Sequence, residues 1–558
     1  MPAPQGSTTE IRALWNCRIP MRDGIELAAD ITVPAGDGPF PAVVTRTPYN
    51  RKPGIWMQRL VAAGYAYVMI DMRGRGDSDG DFQPFVHDGD DGYDTIEWVA
   101  EQTWCTGRVG MVGLSYEGLT QWWTARTRPP HLRCIAPMAI GVADLGPRPS
   151  FDTGVPHLYW SWWFHQVTGR TQQHYGAPSW GPNIRHLPLR TLHEQVGTGG
   201  RWWPMYVDGE IDYLGKDFVF GDDDWANLDL PVLVTVGWWD DQSTMATWVR
   251  LAQSPAGARS QLLIGAWDHG GNRSPSPVLG GLDVSRSVMD TVGHVERFLA
   301  RHLKDEDEHA DVHPCRVFRT GTMRWEDLDE WPSTAVESTH WYLTSGGDAR
   351  TLNGNGELTP TPGETAFDTY VFDPEEPARD FTNLDLFAWS DPPHDQRYLL
   401  RRPDVLVYRG PTLEEPVDAS GRAELDVFVS LDAPDADVSV MLLDVHPDGR
   451  MMLVGSELGS CGLQRVSMRS GPGSAPVDPG EIVGLRIPLV WLHHTFLPGH
   501  RIALAVTAGA FPAFARNLGT GEPWADAVDS RVVSVTVHHG PKHPSRLVLP
   551  IENNKGAE

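Results

Sequence analysis

Three short apolar runs lie far apart in this chain, and each leads into a different polar residue. Residues 108–114 (RVGMVGL) end at Ser115, residues 231–237 (PVLVTVG) lead to Asp240, and residues 261–267 (QLLIGAW) lead to His269. Unbroken apolar runs of this length predict strands buried on both faces of a parallel sheet. Ligands of such sheets bind beyond the carboxyl ends of the strands. Three separate strands would therefore bring a hydroxyl, a carboxylate and an imidazole to one crevice.

The surrounding texture fits such a sheet. Residues 42–45, 65–71 and 133–140 read as strands and 55–63, 92–101 and 117–126 as helices, an alternation that implies βαβ units. Strand signals fade after about residue 141. The stretch to about 229 is rich in aromatic residues, among them Tyr159, Trp160, Trp162, Trp163, Phe164, Trp202 and Trp203. Alternation resumes at Pro231 and runs through a helix near 287–303, so the aromatic stretch reads as a helical cap over the strand ends. Beyond about 338, period-two runs such as Ala423, Leu425, Val427, Val429 and Leu431 predict an antiparallel jelly roll. So do Ile502, Leu504 and Val506, and Val533, Val535 and Val537. The expected organisation is an α/β-hydrolase core in two parts (1–144 and 230–337), a helical cap (145–229) and a C-terminal antiparallel β jelly-roll domain (338–558). A chain of 558 residues suits about three or four domains of roughly 150 residues each.

Composition excludes several classes of partner. A formal net charge of −27 argues against nucleic acid and anionic membranes. No apolar stretch approaches the roughly 18 residues that span a bilayer. Residues 1–10 carry neither a basic segment nor an apolar run, so no signal peptide is expected. Five scattered cysteines with no CxxC predict reduced thiols and a cytoplasmic location. A homo-oligomer stays open.

Ser, Asp and His in that chain order, with a Gly-flanked turn at the serine, is the order of α/β-hydrolases. A serine hydroxyl needs a neighbouring base, and the base needs an orienting partner. Ser115 is the expected nucleophile and His269 the base. The orienting acid is Asp240 or its neighbour Asp241, which spacing alone leaves open. The turn reads Gly113-Leu114-Ser115-Tyr116-Glu117-Gly118: Glu117 stands where a second glycine is usual, and Gly118 follows one place later. For the oxyanion, one donor is the Tyr116 backbone N–H at the head of the next helix. The other comes from the loop 47–50, where Pro48 has no N–H and the Tyr49 phenol takes its place.

These residues carry a resemblance. Arg46-Thr47-Pro48-Tyr49, Asp71-Met72-Arg73-Gly74-Arg75-Gly76, the Ser115 elbow through Trp122, Gly237-Trp238-Trp239-Asp240 and Trp267-Asp268-His269 resemble the cocaine-esterase and X-Pro dipeptidyl-peptidase family of serine hydrolases. Arg402-Pro403-Asp404 and Gly499-His500-Arg501 extend the likeness into the terminal β domain. The resemblance implies Ser115 as nucleophile, Asp240 rather than Asp241 as orienting acid and His269 as base. It implies an oxyanion hole of the Tyr49 hydroxyl and the Tyr116 amide. Members include esterases, α-amino-acid ester hydrolases, β-lactam acylases and X-Pro peptidases.

The substrate is expected to be a small carboxylic ester, with an amide or peptide as the alternative and a non-catalytic ligand-binding protein as a remote one. Trp160, Trp163 and Trp239 lie nearest the motifs and would suit an apolar acyl group. An α-amino substrate would need a carboxylate for its ammonium. Glu117 beside the elbow is the foremost candidate, with Asp241, Glu210 and Asp212 behind it. Gly74–Gly80 lacks a nucleotide-binding glycine pattern and reads as a tight turn. His193-Glu194 lacks the second histidine of a zincin, and His302, His309 and His313 read as solvated surface. No cofactor and no metal are expected.

Overall fold

The computed structural model describes residues 11–52, 54–143, 154–174, 181–197, 201–208, 219–306, 313–378, 393–456, 461–470 and 475–553. Strands β1 (Arg12–Pro20), β2 (Glu26–Val33), β3 (Phe40–Thr47), β4 (Ala66–Asp71), β5 (Cys105–Leu114), β6 (Leu132–Met138), β7 (Leu233–Gly237) and β8 (Gln261–Gly265) belong to one sheet. A short hairpin, β9 (Val278–Leu279) and β10 (Leu282–Asp283), stands apart, and β11 (Cys315–Arg319) and β12 (Arg324–Leu328) rejoin the sheet. The ten strands run in the order β1-β2-β4-β3-β5-β6-β7-β8-β11-β12. The centre is parallel, from β4 through β8 to β11. The edges are antiparallel, β1–β2–β4 on one side and β11–β12 on the other. The edge strands escape the sequence pattern: β1 is mostly exposed and has no buried run to betray it.

Successive strand residues divide between two cores, as a side-chain period of two requires. Val43, Val112, Ala136, Leu233 and Leu263 face α1 (Ile55–Ala62) and α9 (Thr291–Leu303). Their neighbours Val44, Met111, Ile135, Val234 and Ile264 face the other way, in a core with α2 (Asp88–Ala100), α3 (Tyr116–Thr127) and α8 (Gln242–Ala252). Covering both faces is what makes β7 and β8 buried at every position.

Between β6 and β7 the described residues form the helices α4 (Tyr159–Val167), α5 (Leu192–Val196), α6 (Trp202–Val207) and α7 (Asp222–Asn227), with two 3-10 turns. All nine residues of α4 are buried. From Val336 onward the chain builds a second, mainly antiparallel β assembly. Its longest strand, Val417–Leu431, pairs antiparallel with Val483–Phe496 and buries alternate side chains through much of its length. One pair, Gly356–Thr359 with Leu406–Arg409, is parallel. Arg501–Thr507 departs from the expected alternation: after Arg501 every residue is buried, because small Ala503 and Ala505 let both faces be covered. The two sheets meet through the Trp238–Trp331–Trp491 cluster and a hydrogen bond from the Trp491 amide to Gln242 Oε1 (2.9 Å). Among the described residues no helix is long and apolar enough to cross a membrane.

Candidate active site

Ser115 sits between β5 and α3 with φ +62° and ψ −126°. A non-glycine residue at positive φ is strained, and the turn around it is tightly packed. A Cβ on Gly113 would fall 2.4 Å from Glu117 Cβ, so glycine at 113 makes the room that the side chain at 117 occupies. A Cβ on Gly118 would fall 2.7 Å from Ile140 Cγ2 and 3.1 Å from the Met138 carbonyl oxygen, so glycine at 118 lets α3 close on the end of β6. The shifted glycine spacing thus has a steric basis. The Ser115 amide donates to the Met138 carbonyl (2.9 Å), anchoring the turn to the neighbouring strand.

β7 and β8 deliver the next two residues from adjacent parallel strands. His269 Nδ1 stands 2.8 Å from Asp240 Oδ1. Asp240 is fully buried, and its second oxygen accepts a hydrogen bond from Asn272 Nδ2 at 2.6 Å. Burial raises the Asp240 pKa, while the facing imidazole pulls it down. Asp241 points elsewhere: it accepts from the Gly141 amide (3.0 Å) and from the Ser243 and Thr244 hydroxyls, and it caps α8. The structure therefore separates the two carboxylates that spacing left open. Asn272 also donates to the carbonyls of Asp268 and His269, binding the histidine turn into a unit.

On the other side of Ser115, the Tyr49 hydroxyl accepts from Trp163 Nε1 at 2.9 Å and lies beside the Ser115 side chain. Burial, as the main cause, pushes the Tyr49 pKa up to about 12, so the phenol keeps its proton at neutral pH. α3 begins at Tyr116, whose N–H is among the first of the helix and has no partner carbonyl within it. The Tyr116 ring stacks on Trp163 (centroids 5.4 Å apart) and packs against Phe85 (5.0 Å). Its hydroxyl donates to Asp88 Oδ2 at 2.8 Å and accepts from the Phe85 amide. Burial pushes Asp88 up to about 6.

Glu117 is buried and ion-paired with Arg273, which follows the histidine turn. Trp160, Trp163 and Trp239 are all buried. Glu210, Asp212 and His309 lie outside the described residues. His302 packs edge-on against Phe298, and His313 stands 3.6 Å from Asp329. Gly74, Gly76 and Gly80 take positive φ in the turn after β4. Among the described residues, Asp444, His446 and His500 are the group whose ligand atoms converge as a metal site would need. His500 Nδ1 already sits at hydrogen-bond distance (2.8 Å) from Asp444 Oδ1.

Asn272, Arg273 and Arg75 escape sequence reasoning as site residues. The only signal for any of them is Arg75, inside the glycine-rich turn after β4. Buried Arg75 donates to the Pro48 carbonyl (2.8 Å) and to the Val167 carbonyl at the end of α4 (2.7 Å).

An α/β-hydrolase sheet with a strained serine elbow and an Asp-supported histidine at the strand ends defines a serine hydrolase. Residues 23–271 match the X-Pro dipeptidyl-peptidase (S15) family, and residues 308–548 match the C-terminal non-catalytic domain of X-Pro dipeptidyl-peptidases. A cocaine esterase from Rhodococcus sp. (strain MB1 Bresler) is 32% identical over 96% of this chain and 98% of its own. The chain belongs to this S15 and cocaine-esterase family. An aminopeptidase from a marine sediment Thaumarchaeota archaeon superposes with a TM-score of 0.83, at 25% identity over 99% of this chain and 98% of the other. An α-amino acid ester hydrolase gives a TM-score of 0.84 at 24% identity, over 99% and 98% of the two chains, a likeness of fold.

Proposed function

We propose that the protein hydrolyses small carboxylic esters through an acyl-enzyme. His269 takes the Ser115 proton as Oγ attacks the ester carbonyl, then returns it to the leaving alcohol; water repeats the sequence to release the acid. Asp240 holds the imidazole tautomer and stabilises its charged form. The Tyr49 hydroxyl and the Tyr116 amide receive the oxyanion. The observation that carries this reading is the placement around Ser115, with the Tyr49 phenol beside it and, on the strand side, the 2.8 Å His269–Asp240 pair.

Trp160 and Trp163, part of the aromatic α4 beside Tyr49, suit an apolar acyl group, and Trp239 backs the Asp240 turn. Glu117 was the foremost candidate to hold an α-amino group, and its engagement by Arg273 favours esters over α-amino substrates. Amide or peptide hydrolysis is the second reading, favoured by the likeness to an aminopeptidase. The proposed division of labour keeps chemistry in residues 1–144 and 230–337, acyl selection in the cap 145–229 and support in 338–558. The five cysteines, none of them in a disulfide, support a cytoplasmic setting.

Purified protein assayed on matched p-nitrophenyl esters and aminoacyl p-nitroanilides tests the choice, with Ser115→Ala as control. Ester turnover that vanishes in the variant is expected. Faster anilide cleavage would reverse the order of the two readings, and activity surviving Ser115→Ala would end both.

A further inference from the structure

We propose that Trp163 is a positioning residue that aims and polarises the Tyr49 hydroxyl, making cap helix α4 a working part of the oxyanion hole. This rests on the reading of Tyr49 as an oxyanion donor. An indole N–H can only donate, whereas a phenol carries one proton and also accepts. The 2.9 Å contact from Trp163 Nε1 therefore has one direction. With a lone pair of the phenol oxygen so occupied, its single proton points away from the indole, toward the space above Ser115. Donation into that oxygen also strengthens the phenol as a donor, as hydrogen bonds in chains do.

The indole is itself held from several directions. Trp163 is 3% exposed. It stacks on Tyr116 (interplanar angle 13°) and on Phe85 (25°), and Trp160 meets it edge-on at 5.7 Å. Tyr116 is in turn pinned by Asp88 and the Phe85 amide. A second tie joins the same helix to the backbone just before Tyr49. Arg75 bridges the Pro48 carbonyl and the Val167 carbonyl at the end of α4. Tyr49 is thus gripped at its hydroxyl by α4 and at its preceding carbonyl through Arg75. Loss of α4 docking would leave the strand-borne Asp240 and His269 in place yet disarm the hydroxyl.

Ester hydrolysis by the full chain should be compared for wild type, Trp163→Phe, Tyr49→Phe and the double variant. Phenylalanine keeps a ring on Tyr116 and removes the N–H. The expected result is a kcat about 5- to 10-fold lower in Trp163→Phe, the scale of one lost hydrogen bond, with KM changed less than about threefold. In the Tyr49→Phe background the same substitution should change kcat less than about twofold, since residues acting as a unit are not additive. An unchanged kcat in Trp163→Phe, or an equal loss in both backgrounds, overturns the proposal. Wild-type turnover in Tyr49→Phe would instead remove the oxyanion reading beneath it. Should Trp163→Phe not fold, benzothienylalanine at 163 keeps the ring outline without the N–H and gives the same contrast.

Discussion

Ser115 stands between two halves built on different principles. On one side, Asp240 and His269 follow β7 and β8, which pair in register from Leu233–Gln261 to Gly237–Gly265. Their separation is set by the sheet, and Asn272 locks the turn that joins them. On the other side, Tyr49 leaves β3 in a loop and depends on Trp163 and Arg75 for its place. Strand ends position side chains through backbone pairing, whereas a loop needs partners from elsewhere in the chain. The half proposed for proton transfer is therefore placed by the sheet, and the half proposed for the oxyanion depends on how α4 packs.

The sharpest way to break this contrast is at the two neighbouring carboxylates. Asp240→Asn is expected to lower kcat about 10,000-fold through the wrong imidazole tautomer. Asp241→Asn should change kcat less than about tenfold and instead lower the unfolding temperature, because an amide nitrogen replaces one of the two buried oxygens that accept from Gly141, Ser243 and Thr244. Equal kinetic losses in steady-state assays would erase the distinction between them. Next in size, Tyr49→Phe should lower kcat about 100- to 1,000-fold with little change in KM. An intact kcat would leave the loop side without its main donor.

A smaller effect sharpens the strand side. Asn272→Ala removes a donor from the buried Asp240 carboxylate, whose pKa burial already raises. The carboxylate then keeps the imidazole but loses the partner that fixes its second oxygen. Free to turn, it aims His269 less well, and kcat should fall about 5- to 10-fold, the scale of one lost hydrogen bond, with little change in KM. An unchanged kcat would reduce Asn272 to packing.

The smallest predicted effect on turnover concerns the base of the loop side. Asp88 holds its proton to about pH 6 in the folded protein, against 3.8 as the ordinary value. Between those values the folded state binds more protons than the unfolded one. Stability is then fully present below about pH 4 and is lost as pH rises through about 6. Asp88→Asn should flatten that slope, raising stability at pH 8 relative to pH 4 by on the order of 2 to 3 kcal/mol compared with wild type. Denaturant titrations across this range check it, and an unaltered slope would mean that Asp88 is ionised throughout.

Local pattern revealed β5, β7 and β8, because a strand covered on both faces shows as an unbroken apolar run. It revealed Val417–Leu431 and Val533–His539 through period two, the mark of one buried face. It missed β1, which is mostly exposed, and β2, β11 and β12, where charged residues such as Asp30, Arg316 and Glu326 interrupt the apolar run. The glycine shift at the elbow was visible as an oddity, but its cause was not, since only packing shows Glu117 Cβ against Gly113. Glu117 itself was legible as a carboxylate beside Ser115 but not as the partner of Arg273.

By itself the sequence determined a parallel sheet with Ser115, Asp240 and His269 at the ends of buried strands, because burial and backbone direction are written into short stretches of residues. Spacing left Asp240 and Asp241 open, and the tertiary structure sets Asp240 against His269, as the family resemblance implies; only that structure decided that Arg273 pairs with Glu117 and that α4 grips Tyr49. Those contacts join residues 29, 156 and 114 positions apart, respectively. At such separations the partner is chosen by how whole elements pack, and no local periodicity records that choice.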